Sequence, residues 1–187
     1  LMGTFAEDCA EAFQFTREDQ DAYALASLSR ALQAQESGAF GAEIAAVPVP
    51  SRKGDRVVAA DEQPGTARPD KIPHLKPAFR EGGTVTPANS SSISDGAAAL
   101  VLAAEETGLP ARAYVRGHAT HAQAPGLFPT APIPAARRLL QRVGWEARDV
   151  DLWEVNEAFA VVPMAFMRAL GVPHAAMNVN GGACALG

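Results

Sequence analysis

The run Ala97-Ala98-Ala99-Leu100-Val101-Leu102-Ala103 limits most strongly how this chain can fold. Uninterrupted small and branched apolar residues suit a strand buried on both faces. Tyr114 to His118 is a further strand candidate. Pro132-Ile133-Pro134 opens a helix ending at Gly144, with proline in the first turn and glycine just past the end. Asp151 to Val155 reads as a short strand and Glu157 to Leu170 as a helix stopping at Gly171. Pro163 falls early in that helix, where proline costs least. Met177 to Val179 is a last strand, entering Gly181-Gly182. The order strand, helix, strand, helix, strand predicts an α/β layered domain with mainly parallel pairing.

The first half has a different character. A short helix is expected around Ala6 to Phe13. Thr16-Arg17-Glu18-Asp19 reads as a helix start, with Thr16 as N-cap and acids in the first turn. That helix runs to about Glu36 and stops at Gly38. Ala22, Leu25, Ala26, Leu28, Ala31 and Leu32 recur at helical spacing and predict its buried face. Ile44 to Val49 carries prolines and fits an edge strand. Arg52-Lys53-Gly54-Asp55 turns it into a return strand from Arg56. Residues 61 to 82 are proline- and charge-rich, a long loop of the kind that tends to be functional. This half reads as a helical and loop-rich insertion.

Bulk properties narrow the function classes. A length of 187 residues allows one good core or two small ones. The net charge of -5 argues against a nucleic-acid partner, because no basic face can dominate the surface. It leaves a small anionic ligand open. Two cysteines, Cys9 and Cys184, make a reducing, cytoplasmic setting the default. No apolar run is long enough to span a bilayer. Leu1-Met2-Gly3-Thr4-Phe5 is neither a signal peptide nor an obvious natural beginning, and the chain stops in a glycine-rich loop. Both ends are expected to be cuts.

Asp151 to Ala160 is the sharpest local feature. A hydrophobic strand hands over to a helix at Asn156-Glu157, and side chains at such a strand end face the ligand crevice of open α/β sheets. Asn156 there either caps the helix or holds a water aimed at a reacting carbonyl. Spacing alone favours the cap. Gly181-Gly182 would let the backbone pass close to a ligand or another chain. Cys184, among alanines, reads as a small buried hydrophobe. Thr86 to Gly96 holds Ser and Asn that donate to a ligand or satisfy their own turns, and the turns are the simpler reading. His118 and His121 lie three apart, with no acid or cysteine completing a metal spacing, so no metal is expected.

Several motifs, in a fixed order, resemble the thiolase family. They are Met2-Gly3-Thr4-Phe5-Ala6-Glu7, Thr16 to Asp21 with Tyr23-Ala24, Asp61-Glu62, and Leu75-Lys76-Pro77-Ala78-Phe79. Gly83-Thr84-Val85-Thr86 with Asn89-Ser90-Ser91 and Asp95 to Ala99 follows. Pro132 to Ala135, Asn156 to Ala160 and Asn178 to Gly187 complete the set, which covers essentially the whole chain.

The resemblance implies a thiolase-like layered αβαβα fold, incomplete here, with a loop domain covering a coenzyme A site. Residues 1–93 would be most of that loop domain, 94–112 the end of the first half, and 113–187 the start of the second. It implies an acyl-CoA C-acyltransferase of the acetyl-CoA acetyltransferase type, in fatty acid metabolism. Such an enzyme condenses two acyl-CoA molecules or cleaves a 3-oxoacyl-CoA by thiolysis. A nucleophilic cysteine takes the acyl group, a second cysteine is the base, and a histidine and an asparagine-held water stabilise the enolate.

Carried over residue by residue, Asn156 is the water-holding asparagine and Ser91 contacts the pantetheine arm. Met2, Leu75, Phe79, Ala158 and Phe159 line the CoA tunnel. Phe128 stands at a methionine bordering the acyl pocket, where a stiffer ring would favour short chains. Arg68 aligns only loosely with an arginine serving the nucleotide phosphates. Cys9 and Cys184 match neither catalytic cysteine, and the family's histidine would follow Gly187 directly. The 187-residue chain alone is therefore expected to be inactive and prone to aggregate. The family usually forms homodimers or homotetramers. The alternatives are a non-catalytic thiolase-like CoA- or lipid-binding protein and, more remotely, a ketoacyl synthase.

Overall fold

The computed structural model describes residues 2–52 and 54–187. Leu1, in the opening motif, and Lys53, in the expected turn at 52–55, lie outside the described residues. Helix α1 spans Met2–Phe13, longer than predicted, and buries Ala6, Glu7, Cys9 and Ala10. Helix α2 spans Arg17–Ser37 and keeps both predicted ends. Thr16 Oγ1 accepts from Asp19 N at 3.1 Å, and Asp19 Oδ2 accepts from Thr16 N at 3.0 Å, a reciprocal capping box. Gly38 closes the helix in the left-handed region at φ 69°.

The buried face of α2 differs from the one predicted. Leu28 and Ala31 are buried as expected, but Ala22 and Leu32 are exposed, and Gln20, Asp21, Tyr23 and Ser27 are inside. Asp21, Tyr23 and Ser27 win that face because each has a specific partner, described below, and burial of a bonded polar group costs little; Gln20 Nε2 donates to Thr84 Oγ1 at 2.8 Å, while its Oε1 has no partner among the described residues.

Strands β1 (Val47–Val49) and β2 (Arg56–Val58) pair antiparallel, with Pro48 opposite Val57. This is the predicted edge hairpin. Within the loop at 61–82 lie a short helix, α3 (Gln63–Thr66), and a 3-10 turn over Pro69–His74. Helices α4 (Pro132–Val143), α5 (Val161–Leu170) and α6 (Ala183–Leu186) follow. Gly144 and Gly171 end α4 and α5 in the left-handed region, as predicted. The main core joins α1, Tyr23, Val85, the Phe159 to Phe166 stretch, Val172 and Met177.

The predicted strands of the second half are the main correction. Residues 97–103 and 114–118 carry no strand, and Leu100, Val101 and Val115 are 89%, 93% and 78% exposed. A strand exists only with a hydrogen-bonding neighbour, and no described strand pairs with these residues; 117–118 lies against helix α4 instead, with His118 O accepting from Arg142 Nη1 at 2.8 Å. Asp151–Val155 and Met177–Val179 reduce to one parallel bridge between Trp153 and Met177. Trp153 N donates to Ala176 O and Asn178 N to Trp153 O, both at 2.8 Å. The direction of pairing is the predicted one, over a single step.

Helix α5 also starts later than predicted, at Val161 with Ala160 as N-cap. Residues 158–160 are held extended against 89–91 instead. Ser91 N donates to Ala158 O at 3.1 Å and Ala160 N to Asn89 O at 2.9 Å, around an antiparallel bridge between Ser90 and Phe159. Asn156 is therefore not a helix cap.

Candidate active site

Asn156 is exposed, and its side chain makes no hydrogen bond to another described residue. Both neighbours in the chain are clamped. Val155 N donates to Asn178 Oδ1 and Val155 O accepts from Asn178 Nδ2, both at 2.8 Å. Asn178 is 2% exposed and sits at φ 45°, a left-handed conformation that asparagine tolerates better than most residues. The chain turns away there, and the side-chain amide carries the Trp153–Met177 pairing one step further.

On the other side, Glu157 is fully buried. Its Oε1 accepts from Tyr23 Oη at 2.8 Å and Asn178 Nδ2 at 2.9 Å. Its Oε2 accepts from Ser27 Oγ at 2.7 Å and Cys184 N at 3.0 Å. Four donors satisfy one carboxylate, so its burial is tolerated. Beside it, burial and the nearby Glu157 charge push the Tyr23 hydroxyl far above its ordinary range. His174 stacks on Tyr23 with ring centroids 5.1 Å apart. Burial, and then the Arg30 charge, lower its pKa. Arg30 itself ties α2 to the same strip, donating to Met177 O at 2.7 Å and His174 O at 3.0 Å.

The glycine pair serves this packing. A Cβ on Gly181, at φ 82°, would lie 2.6 Å from Ser27 O, and one on Gly182 would lie 2.5 Å from the Glu157 carboxyl carbon. The close backbone approach is thus to the chain's own helix α2 and to Glu157. Neither cysteine is activated. Burial raises the Cys9 thiol to about 11. Burial and then Glu157 raise Cys184 well above its ordinary value, with its Sγ 3.8 Å from Glu157 O.

An aromatic group gathers beside this strip. Phe79 meets Phe159 edge-on with centroids 6.0 Å apart, and Phe128 lies 6.1 Å from Phe159 at a tilt. A Cβ on Gly3 would overlap the Phe79 ring, so α1 packs closely beneath it, while Met2 at the start of the helix is exposed. Ala158 and Ser91 join through Ser91 Oγ, which donates to Ala158 O at 3.4 Å. Six expected site residues therefore fall on one connected strip: Phe79, Ser91, Phe128, Asn156, Ala158 and Phe159. Leu75 does not pack on it; it is half-buried at the end of the 3-10 turn. Arg68 is exposed.

The serine and asparagine turn is self-satisfied in part. Asn89 Oδ1 accepts from Thr86 N at 2.8 Å, its Nδ2 donates to Asp21 Oδ1 at 3.1 Å, and Ser90 Oγ donates to Thr86 O at 2.7 Å. Sequence reasoning missed Tyr23, Ser27, Glu157 and Asn178. The available signal was Tyr23, Ser27 and Ala31 at intervals of four on α2, a polar stripe ending on a small residue. No described helix is long and apolar enough to cross a membrane.

Two family models together match nearly the whole chain. The model for "Thiolase, N-terminal domain" matches residues 1–106, and that for "Thiolase, C-terminal domain" matches 109–187. A probable acetyl-CoA acetyltransferase of Dictyostelium discoideum is 48% identical over all of this chain and 46% of its own length. The Bacillus anthracis acetyl-CoA acetyltransferase structure superposes with a TM-score of 0.96 at 39% identity, over the whole chain and 49% of that one. The Ascaris suum Acat5 thiolase, solved in complex with coenzyme A, gives 0.91 at 42% identity, over the whole chain and 49% of that one. The chain spans about half the length of the curated relatives it matches. The layered α/β fold of these neighbours is the one to which its elements correspond, and the chain belongs to the thiolase family.

Proposed function

We propose that this chain is the part of an acetyl-CoA acetyltransferase-type thiolase that supplies the enolate-stabilising asparagine and one wall of the CoA tunnel. The observation that carries this is Asn156. Its amide is free and exposed, yet Val155 and Glu157 on either side are held by six hydrogen bonds: two on Val155 and four on Glu157. A fixed backbone bearing an unspent amide is what an oxyanion-stabilising group needs.

In this reading a cysteine thiolate outside this chain attacks the carbonyl of one acyl-CoA and expels CoA thiolate. A second cysteine takes an α-proton from the other acyl-CoA. The resulting enolate attacks the acyl-enzyme, forming the new carbon–carbon bond and releasing the enzyme thiolate. Asn156 donates to a water that donates in turn to the enolate oxygen, with the histidine beyond Gly187 as the second donor. The raised thiols of Cys9 and Cys184 fit neither cysteine role. Ser91 contacts the pantetheine arm, and Met2, Phe79, Ala158 and Phe159 line the tunnel, with Leu75 further out. Phe128, against Phe159, narrows the acyl pocket toward acetyl-sized groups.

Residues 1–93 form the loop domain, 94–112 close the first half and 113–187 open the second. The whole protein works in the cytoplasm as a homodimer or homotetramer.

The test is thiolysis of acetoacetyl-CoA by the full-length protein carrying this segment. Asn156→Ala should lower kcat by about 10²–10³ with KM for CoA nearly unchanged, the loss of one oxyanion donor. Unchanged kcat would refute the assignment, and CoA binding without any wild-type turnover would favour the non-catalytic CoA-binding alternative. A series of longer 3-oxoacyl-CoA substrates in the same assay should turn over progressively worse if Phe128 limits the pocket.

A further inference from the structure

We propose that Glu157 and Asn178 are positioning residues that hold the Asn156 amide on target and tether it to helix α2; this rests on Asn156 being the catalytic asparagine. Asn156 makes no side-chain hydrogen bond to another described residue, so its aim is set by the backbone on either side. That backbone is held almost wholly by side chains distant in sequence. Asn178 grips Val155 through both its N–H and its C=O. Glu157 is gripped by Tyr23 and Ser27 of α2, by Asn178, and by the Cys184 N–H at the start of α6.

The network admits one arrangement only. Asn178 Oδ1 receives the Val155 N–H, so the amide cannot flip, and its two Nδ2 protons go to Val155 O and Glu157 Oε1. Ser27 Oγ accepts the Gly182 N–H at 3.0 Å, which directs its own proton to Glu157. Tyr23 has one hydroxyl proton, and with Glu157 Oε1 2.8 Å away and both Asn178 Nδ2 protons already placed, that proton goes to Glu157. All four groups facing the carboxylate are therefore fixed as donors.

This makes Glu157→Gln a severe change despite its equal size. An amide must point its NH₂ either at Asn178 Nδ2 or at the Cys184 N–H, and neither can become an acceptor. The clash is relieved by moving the backbone at 156–157. The neighbouring α2 carries the contact into the loop-domain region.

A mutant cycle in the full-length protein tests this. Glu157→Gln should lower kcat for acetoacetyl-CoA thiolysis by about 10²-fold, the typical cost of a small misplacement, with KM for CoA within about threefold. Ser27→Ala, which removes one donor of four to Glu157 and the acceptor for the half-buried Gly182 N–H, should cost about tenfold. On an Asn156→Ala background both changes should cost less than about twofold in kcat, because nothing is left to aim. Asn178→Gly keeps the left-handed backbone, loses the amide and should follow the same pattern. If Asn156→Ala lowers kcat but Ser27→Ala or Glu157→Gln costs as much with it as without it, the positioning role is overturned and the catalytic assignment stands. If Asn156→Ala leaves kcat unchanged, both fall. Should Glu157→Gln not fold, Ser27→Ala and Asn178→Gly decide the matter alone.

Discussion

The buried carboxylate sites and the segment from Ile93 to Val115 treat their side chains in opposite ways. Glu157 and Glu7 are charged residues inside the protein, 0% and 3% exposed, with every contact a matched donor. Glu7 accepts from Thr84 N at 2.9 Å, Thr84 Oγ1 at 2.9 Å and Val85 N at 2.8 Å, stapling α1 to the 84–86 turn. Ile93, Leu100, Val101, Leu102 and Val115 are apolar residues outside it, exposed and unpaired with any described strand. Burial here follows the availability of partners more closely than residue polarity. A carboxylate with four donors is at home in the core, and an apolar run without a sheet is not.

Three changes probe that contrast in this chain. The largest effect is expected from Glu7→Ala, which strands the half-buried Thr84 N–H and the buried Val85 N–H and should cost about 3 kcal/mol in urea unfolding. A loss below about 1 kcal/mol would mean water replaces the carboxylate easily and the site is not a staple.

Cys9 comes next, through pH. Burial raises its thiol from an ordinary 9.0 to about 11. The unfolded chain ionises from about pH 9 while the folded chain keeps its proton to about 11. Its contribution is thus fully present below pH 9 and is lost as pH rises through that window. Between pH 9 and 11 the wild-type chain should lose on the order of 2 kcal/mol more than Cys9→Ala. Parallel pH profiles for the two chains would show the thiol to be solvated.

The smallest effect belongs to Leu100→Ser with Val101→Ser. Unfolding free energy should change by no more than about 0.5 kcal/mol, as at any exposed site, while the soluble fraction rises. A loss of 2 kcal/mol or more would show that residues 97–103 are covered in solution and would break the contrast.

Helix ends were legible in the sequence because they are local. Thr16 with Asp19, Gly38, Gly144 and Gly171 each act within one turn, and the structure keeps all of them. The 47–58 hairpin was legible for the same reason. The family, and with it the candidate site residues, could be read from ordered short motifs, which report ancestry whatever the local geometry. The face buried by α2, the late start of α5 and the fate of the predicted strands were not legible. Each depends on a partner distant in sequence: Glu157 for Tyr23 and Ser27, residues 89–91 for 158–160, and a neighbouring strand for 97–103.

Asn156 shows the division most clearly. By itself the sequence determined that an asparagine stands where an apolar stretch turns toward a helix, and its neighbours matched a family motif. Only the tertiary structure decided that it caps nothing. Residues 89–91 hold 158–160 extended and delay the helix to Val161. Asn178 and Glu157 take up the surrounding hydrogen bonds, leaving the Asn156 amide unspent. The reason is physical: a side chain's role depends on which donors and acceptors reach it first, and those arrive from across the fold.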